Sequence, residues 1–378
     1  MQKIYYGRQQ IDQKDINFVS KALKNNFITS GSLVSKFENR ISNYLKVKNS
    51  VVCNSGTSAI HLAFDAINLK KNDVIIMPAV NFISSYNMAK LYSAKIYLCD
   101  VNPYTGLVTP ETILDCIKKN KLRTIKCILT MHLGGIIEHP EEFFHLKKKY
   151  KCFLIEDACH AFGSTYKVKN KKYMVGSCKH SDIACFSFHP IKTITTGEGG
   201  AITTNNKKFY QRSIKFRSHN IKKINFQNYN IDRLGFNYRL SDINCALGIS
   251  QLSKIKKFLY KRSKIRNYYK KKLFPLKPKV KIIENSKLSQ NSNHLLIVQL
   301  NNYKTKNKLI KFFSSNNIFV QYHYIPIYRF KFINSYLIKN YPGCEYYYRR
   351  SLSIPNHVML KKKELDKVVN LFFKFFKN

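Results

Sequence analysis

The sequence predicts an α/β protein with two parts: a large domain with a mainly parallel sheet over residues 1–250, and a smaller α/β domain over residues 251–378. Short apolar runs alternate with helix-like segments through the first two thirds of the chain, which is the pattern of a parallel sheet covered by helices on both faces. The sequence pattern changes near residue 246, where a long basic helix pattern over residues 249–272 begins. A second region of strands and helices follows it. A chain of 378 residues is long enough for one large and one small domain.

The apolar runs of the first part are short, as expected for buried strands. An amphipathic helix pattern over residues 58–67 follows the first of them. In an open α/β sheet, ligands bind at the carboxyl ends of the strands, so the polar residues that follow these runs are candidate site residues. The predicted strands are residues 50–53, 73–77, 94–99, 125–131, 152–156, 182–186 and 201–204.

The net charge of +45 is extreme and, taken alone, indicates a nucleic acid or another anionic partner. The basic residues are spread over the whole length, however, and lysine, asparagine, isoleucine, phenylalanine and tyrosine are all abundant while tryptophan is absent. That joint bias is what AT-rich codons produce. We therefore expect a compositional surface charge that helps to attract anionic substrates, and no specific nucleic acid; salt-sensitive binding to random DNA would indicate the alternative.

Several other features set the class of protein. No run of 18 or more apolar residues occurs, and the N-terminus lacks the apolar core of a signal peptide, so we expect a cytoplasmic protein without membrane insertion. The ten cysteines are scattered without a CxxC pair, which predicts reduced thiols rather than a metal or redox site.

The loop over residues 187–200 is the most informative segment. Lys192 lies in a polar, glycine-rich turn between two predicted strands, whereas most other lysines lie in charge runs. A lysine held at the end of a sheet can attach covalently to an aldehyde cofactor such as pyridoxal 5′-phosphate. The alternative is a solvated loop lysine.

A second candidate segment, residues 54–59, follows a strand and opens a helix. The helix N-terminus offers free N–H groups to a phosphate, Gly56 allows close approach of the backbone, and Thr57 adds a hydroxyl donor. The alternative is an ordinary helix cap, which Ser and Thr favour anyway.

A third segment, residues 156–163, begins where a strand ends. Asp157 is placed to pair with a protonated pyridine nitrogen, and His160 follows closely enough to share the site. The alternative is an aspartate that caps the next helix, with a histidine in the core.

Three further segments are more ambiguous. Phe82 follows a strand and could stack on a flat ring, Asn237 lies in a polar turn with donors suited to phosphate, and residues 321–328 group tyrosines and a histidine around a proline. Each could equally be structural. The phosphate turn, the aromatic, the strand-end aspartate and the lysine loop nevertheless all follow strands of one α/β domain, which favours a shared site.

Taken together, these segments resemble the DegT/StrS-type nucleotide-sugar aminotransferases, a branch of the fold-type-I pyridoxal-phosphate enzymes. The resemblance extends over essentially the whole chain and is most specific in the lysine loop. It implies an aspartate aminotransferase-like fold, pyridoxal 5′-phosphate (PLP) as the cofactor, and a homodimer with shared active sites. The segments that carry it are residues 54–59, 156–161, 187–200 and 235–240.

The resemblance also implies a role for each candidate residue. Lys192 would hold the cofactor covalently and move protons between cofactor and substrate carbons, Asp157 would pair with the pyridine nitrogen, and Asn237 would reach the cofactor phosphate of the partner subunit. The implied catalytic residues are Lys192, Asp157 and His160, and the implied cofactor-binding residues are Lys192, Gly56, Thr57, Phe82, Asp157, Ser187 and Asn237. The implied substrate-binding residues are Tyr6, Asn26, Phe27, Ile28, Thr29, Gly56, Ser187, Asn237, His323, Tyr324, Ile325, Pro326 and Ile327.

Within the family, four more segments are similar to the branch that acts in pseudaminic acid synthesis: residues 217–219, 292–295, 323–328 and 352–357. That similarity implies amino transfer from L-glutamate to C4 of a UDP-4-keto-6-deoxy-N-acetylhexosamine. Sugar dehydratases on this fold carry histidine where this chain has Lys192, so the lysine favours transamination. A 3- or 4-aminotransferase for another dTDP-, GDP- or UDP-keto-sugar, and a regulatory protein without turnover, remain open alternatives.

Overall fold

Helices and strands alternate along the chain, as the sequence predicts. The computed structural model describes residues 3–377 except 226, 285, 287, 288 and 338. The strands found in these residues are β1 (Ile4–Tyr5), β2 (Asn49–Cys53), β3 (Val74–Pro78), β4 (Lys95–Cys99), β5 (Cys127–Met131), β6 (Phe153–Asp157), β7 (Thr165–Val168), β8 (Lys171–Met174), β9 (Ile183–Ser187), β10 (Gly200–Thr204), β11 (Ile221–Lys223), β12 (Tyr229–Ile231), β13 (Val280–Ile282), β14 (Ser289–Gln290), β15 (Leu296–Leu300), β16 (Ile318–Phe319) and β17 (Ser351–Ile354). The helices found there are α1 (Gln13–Leu23), α2 (Ser32–Leu45), α3 (Gly56–Ala66), α4 (Ser84–Leu91), α5 (Pro110–Lys119), α6 (Pro140–Lys149), α7 (Lys207–Arg217), α8 (Asp242–Ser253), α9 (Ile255–Leu273), α10 (Thr305–Ser315), α11 (Pro342–Arg350) and α12 (Lys362–Lys377).

A central sheet with the strand order β2-β10-β9-β6-β5-β3-β4 organises the first part of the chain. The pairs β9–β6, β6–β5, β5–β3 and β3–β4 are parallel, and β10 runs antiparallel to both of its neighbours. All seven strands predicted from the apolar runs are confirmed, and together they make up this sheet. The prediction of an α/β fold with a mainly parallel sheet is therefore confirmed.

Burial on both faces explains why these strands read as continuous apolar runs rather than as alternating patterns. Every side chain of β5 and of β10 is buried. Helix α3 packs on β9 and β10 and is buried from Ser58 to Ala66, which fixes its N-terminus at the carboxyl end of β2. The sheet thus places the start of α3 beside the end of β9.

The long basic helix predicted over residues 249–272 is wrong in one respect, because two helices cover this stretch. Helix α8 ends and α9 begins around Lys254, whose N–H bonds to the carbonyl of Gln251 rather than continuing the helical ladder. The Lys254 ammonium also binds Asp15 at 2.6 Å and Asp12 at 2.8 Å, at the start of α1. This tertiary contact does not show in the helical periodicity of the sequence.

The C-terminal part of the chain contains an antiparallel sheet with the order β13-β15-β17. Its apolar core combines this sheet with side chains of α9, α10 and α12. Near the N-terminus, β1 pairs in parallel with β16, so the start of the chain contributes to this region. The division into residues 1–250 and 251–378 stays a prediction.

None of the helices described above combines the length and the apolar character needed to cross a lipid bilayer.

Candidate active site

A cavity of about 540 Å³ opens where the carboxyl ends of β2, β3, β5, β6 and β9 meet. The segments that follow these strands form its wall, and residues from both ends of the chain complete it. Eleven of the sequence-predicted site residues line it: Tyr6, Gly56, Thr57, Phe82, Asp157, His160, Ser187, Lys192, His323, Tyr324 and Ile325.

One end of the cavity is the N-terminus of α3. Ser55 caps the helix, since its hydroxyl accepts the N–H of Ser58 at 3.0 Å. The N–H groups of Gly56 and Thr57 precede the first intrahelical bond and face the cavity. A methyl group on Gly56 would lie 2.8 Å from Cβ of Ser187, so only glycine lets the two segments approach this closely. These backbone N–H groups, with the hydroxyls of Ser187 and Thr57 on the same wall, are suited to bind an anion such as a phosphate.

Asp157 ends β6 on the cavity wall and is only 2% exposed. Its Oδ1 accepts the N–H of Cys159 at 3.2 Å, and it forms no ion pair with a residue in the described part of the chain. A buried carboxylate is costly without a cationic partner. Asp157 is therefore suited to a ligand that brings a positive charge, such as a protonated ring nitrogen.

Lys192 lies in the turn that follows β9, where its N–H bonds to the carbonyl of His189 at 2.9 Å. Its burial lowers the pKa of the amine, while the nearby Cys159 and Asp157 act in the opposite direction. A lowered pKa increases the fraction of free amine near neutral pH, which is the nucleophilic form. Among the residues that the structure describes on the cavity wall, Lys192 is the one lysine or arginine.

His160 occupies the wall beside Lys192 and connects two distant segments. Its Nδ1 accepts the N–H of Gly134 at 3.3 Å, and its Nε2 lies 2.8 Å from the hydroxyl of Tyr324. Burial, together with Lys192 and the neighbouring histidines His294 and His323, holds the pKa of His160 well below its ordinary value. His160 is consequently neutral at physiological pH.

The aromatic side of the cavity comes from Phe82, Tyr324 and Tyr6. Phe82 is 51% exposed and its ring centroid lies 5.7 Å from that of Tyr324. Tyr6 packs edge-on against His323, with their centroids 5.3 Å apart. An open aromatic face of this kind suits a flat ring or a sugar.

Two predicted pocket residues lie behind the wall rather than on it. Ile327 is fully buried in the main core, where its N–H bonds to the carbonyl of Ala79 at 2.8 Å, and Pro326 is also buried. Their place in the site is to fix the preceding residues, His323 to Ile325, against the segment that follows β3.

The remaining predicted residues lie outside the cavity of their own chain. Asn26, Phe27, Ile28, Thr29 and Asn237 are all exposed and absent from the cavity wall. Residues 28 and 29 contact the chain just beyond Asn237. Asp242 donates its N–H to the carbonyl of Ile28, and Thr29 forms a β-bridge with Ser241.

Sequence reasoning missed several wall residues. Cys159, His189 and Glu198 flank predicted residues, so their positions next to the motifs could have indicated them. Phe330 gives no such signal. Behind the wall, the His294 ring lies 4.5 Å from that of His160, and neither of its ring nitrogens has a partner among the described residues.

Comparison with known proteins assigns this arrangement to a family. Residues 9–373 match the model of the DegT/DnrJ/EryC1/StrS aminotransferase family. The chain belongs to this family. Aminotransferases of the family use PLP, which confirms the cofactor and the enzyme class predicted from the sequence.

Individual members of the family are similar over nearly the full length. The chain is 37% identical over 373 residues to a UDP-4-amino-4,6-dideoxy-N-acetyl-beta-L-altrosamine transaminase of Campylobacter jejuni, covering 98% of this chain and 96% of that protein. It is 30% identical to a GDP-perosamine synthase of Escherichia coli O157:H7, covering 93% of each chain. Among solved structures, the Helicobacter pylori aminotransferase PseC, involved in the biosynthesis of pseudoaminic acid, is 26% identical and covers 100% of both chains with a TM-score of 0.91.

The cavity of this DegT-family aminotransferase fits PLP on three counts. The α3 N-terminus with Ser187 offers donors to a phosphate, and Gly56 leaves space that a side chain would fill. Asp157 forms no ion pair with a residue in the described part of the chain, which leaves its carboxylate available to a pyridinium nitrogen. Lys192 presents its amine, with a lowered pKa, on the same wall.

Proposed function

We propose that the protein transfers the amino group of L-glutamate to C4 of a UDP-4-keto-6-deoxy-N-acetylhexosamine. The product would be UDP-4-amino-4,6-dideoxy-N-acetyl-β-L-altrosamine, a precursor of pseudaminic acid. The observation that carries this proposal is the 37% identity over 98% of the chain to a transaminase of that name. The cavity, with an amine, a carboxylate and an anion position in one chain, supports the chemistry.

Bound PLP supplies an aldehyde and an electron-withdrawing ring for this reaction. Lys192 would hold the cofactor and, as a free amine, would move a proton between the reacting carbons; its lowered pKa favours that form. Asp157 would keep the ring nitrogen protonated, and the N–H groups of Gly56 and Thr57, with Ser187, would hold the phosphate. Phe82 would lie against the ring.

The sugar nucleotide would lie against Tyr6 and the segment from His323 to Ile325, with Pro326 and Ile327 fixing that segment from behind. Glu198 and His189, 3.9 Å apart, stand at the same side as Lys192 and would contact the polar parts of the substrate. A glutamate and a diphosphate both carry negative charge, yet this wall provides one lysine. Additional cations are needed, and we propose that a second subunit supplies them.

The surface that would meet this second subunit is defined by exposed apolar side chains, which we call the hairpin surface. It consists of Phe27, Ile28, Ile224, Tyr229, Ile231, Leu234 and Phe236, with Leu234 84% and Phe27 70% exposed. Exposed apolar side chains of this size favour a protein partner. Asn237 follows the β11–β12 hairpin with its exposed Lys222 and Lys223, and residues 28 and 29 contact Asp242 and Ser241 just beyond it, so a homodimer would bring donors and cations to the partner's cavity.

We also propose that the enzyme works in the cytoplasm. All ten cysteines are free thiols, which matches a reducing compartment.

A substrate panel tests the function. The enzyme is incubated with glutamate and UDP-, dTDP- and GDP-linked 4-keto-6-deoxy sugars, and the position of the new amine is mapped by NMR. We expect amination at C4 of the UDP-linked N-acetylhexosamine. Preference for a GDP-keto sugar would instead favour the second candidate, a perosamine-type synthase, which the 30% identity to the Escherichia coli enzyme supports.

A further inference from the structure

The hydrogen bonds around His160 form a chain whose direction can be worked out. The chain starts at Gly134, in the buried 3-10 turn Leu133–Gly135 that follows β5. A peptide N–H can only donate, so the Nδ1 atom of His160, 3.3 Å away, must offer a lone pair and carry no proton.

The protonation of the second ring nitrogen follows. His160 is neutral, because burial and the nearby Lys192, His294 and His323 hold its pKa well below the ordinary value. A neutral imidazole carries one proton, and Nδ1 does not have it, so Nε2 does. Nε2 lies 2.8 Å from the Tyr324 hydroxyl oxygen and therefore donates to it. If Tyr324 donated to Nε2 instead, the single ring proton would lie on Nδ1 and would face the N–H of Gly134.

The direction of the Tyr324 hydroxyl is then fixed as well. Its oxygen accepts from His160, so its proton must point elsewhere, and it has no other hydrogen-bond partner in the described part of the chain. Burial raises the pKa of Tyr324 well above its ordinary value, so the phenol keeps that proton. Tyr324 lines the cavity, which leaves the cavity as the place where the proton finds an acceptor.

We propose that Tyr324 is a fixed hydrogen-bond donor for an acceptor-only oxygen of the bound ligand, and that His160 is the positioning residue that aims it. Two ligand oxygens can accept a hydrogen bond without donating one. They are the deprotonated oxygen substituent on the pyridine ring of the cofactor and the keto oxygen of the amino acceptor. The identity of the second oxygen rests on the proposed function, whereas the direction of donation does not. Gly134, His160 and Tyr324 come from three segments that only the folded chain brings together.

The tautomer can be observed without turnover. A nitrogen-15 NMR spectrum of the histidine-labelled holoenzyme should show one ring with a protonated Nε2 and a bare Nδ1, assigned to His160 by its loss in His160→Gln. A protonated Nδ1 at His160 would overturn the proposal. Because this measurement needs no sugar, its result is independent of whether the proposed substrate is correct.

The donor itself is tested by Tyr324→Phe, with Tyr322→Phe as the matched control, since Tyr322 also lines the cavity and has no hydroxyl partner in the described residues. Two quantities are measured: the PLP dissociation constant from the absorption spectrum, and kcat/KM for the keto sugar. Loss of one neutral hydrogen bond should weaken one of them about tenfold. A change in PLP affinity identifies the cofactor oxygen, a change in kcat/KM alone identifies the keto oxygen, and no change beyond that of the control refutes the proposal.

Variants of His160 separate aiming from mere packing. Glutamine has both an acceptor and a donor, so His160→Gln should keep most of the affected quantity, whereas His160→Leu should match Tyr324→Phe. The double variant His160→Leu/Tyr324→Phe should lose no more than either single variant, because both act through one hydrogen bond. Additive losses would show that His160 does not act through Tyr324.

Discussion

Two regions of the molecule carry the residues that the sequence marks as functional, and they differ in almost every property. Lys192 lies in the turn that follows β9, and Asp157 and His160 reach the same cavity wall from the end of β6 and the turn that follows it. The hairpin surface, together with Asn237 and residues 26–29, is exposed, apolar and basic. The sequence motifs assign residues of both regions to one active site. Among the described residues of a single chain, however, only the first region lines the cavity.

The difference indicates that the two regions have separate roles. The cavity wall contains what the chemical step needs: an amine, a carboxylate and an anion position. The outer region contains what a charged nucleotide sugar needs, which is cations and amide donors. If a second subunit faces the cavity with its hairpin surface, each site is built from two chains, and reaction and recognition reside on different subunits.

Removal of Lys192 should have the largest effect. Lys192→Ala lacks the amine that moves the proton, so we expect kcat to fall on the order of a thousandfold or more. Turnover is measured with glutamate and the keto sugar, and the visible absorption of PLP reports whether the covalent attachment is lost. Lys169→Ala is the control, because the Lys169 side chain is 84% exposed and does not line the cavity. Unchanged absorption and turnover in Lys192→Ala would mean that Lys192 is an ordinary loop lysine.

Mixing two inactive variants tests the shared site. If Asn237 serves the partner's cavity, a heterodimer of a Lys192→Ala chain and an Asn237→Ala chain has one intact site, and random pairing should restore about a quarter of the wild-type activity. Activity is measured after the two purified variants are mixed and allowed to exchange subunits.

A second substitution supplies the control for this experiment. Leu234→Asp in both chains should abolish the rescue by placing a charge in the apolar contact, whereas Leu91→Asp, at an exposed leucine outside the hairpin surface, should not. Mixtures that stay inactive while sedimentation shows heterodimers would mean that each cavity uses its own Asn237.

Low pH should destabilise the cavity, which contains the buried His323, more than the hairpin surface. The effect should be smaller than those of the substitutions above. Burial and the charge of Lys192 lower the pKa of His323 to about 3. Between that value and the ordinary pKa of histidine, about 6.5, the unfolded chain binds a proton that the folded chain does not. The stabilisation is therefore fully present above pH 6.5 and is lost as the pH falls below it, by about 1.4 kcal/mol per pH unit for each such histidine.

Urea unfolding between pH 7 and pH 4 measures this slope. His323→Gln should reduce this slope by the equivalent of about one proton. An equal slope in His323→Gln and in the wild type would mean that His323 takes up its proton in the folded state.

Much of the fold could be predicted from the sequence, because strands buried on both faces leave continuous apolar runs, and such runs locate all seven strands of the central sheet. The break at Lys254 could not be predicted from the helical pattern, and at this position the Lys254 ammonium binds Asp12 and Asp15, which lie at the start of α1 and far away in the sequence. The antiparallel β10 also escapes prediction, because an apolar run does not record its direction.

The site shows the same division. Lys192, Asp157 and Gly56 lie at the ends of strands or within a few residues after them, so the rule that ligands bind at strand ends predicts from the sequence that they lie together. Ile327 looks like its neighbours in sequence but points into the core, and His294 meets His160 across 134 positions of the chain, as their numbers show. Contacts of that range are set by how the C-terminal part packs on the sheet, which no local pattern encodes.

The His160 tautomer is set by the backbone N–H of Gly134, and this has a consequence for substitutions at position 134. Gly134 has a φ of 69°, a conformation that proline, the one residue without an N–H, cannot adopt. Every substitution that the turn can accept therefore retains the donor. The donor that sets the His160 tautomer therefore belongs to the main chain and does not depend on which side chain stands at position 134.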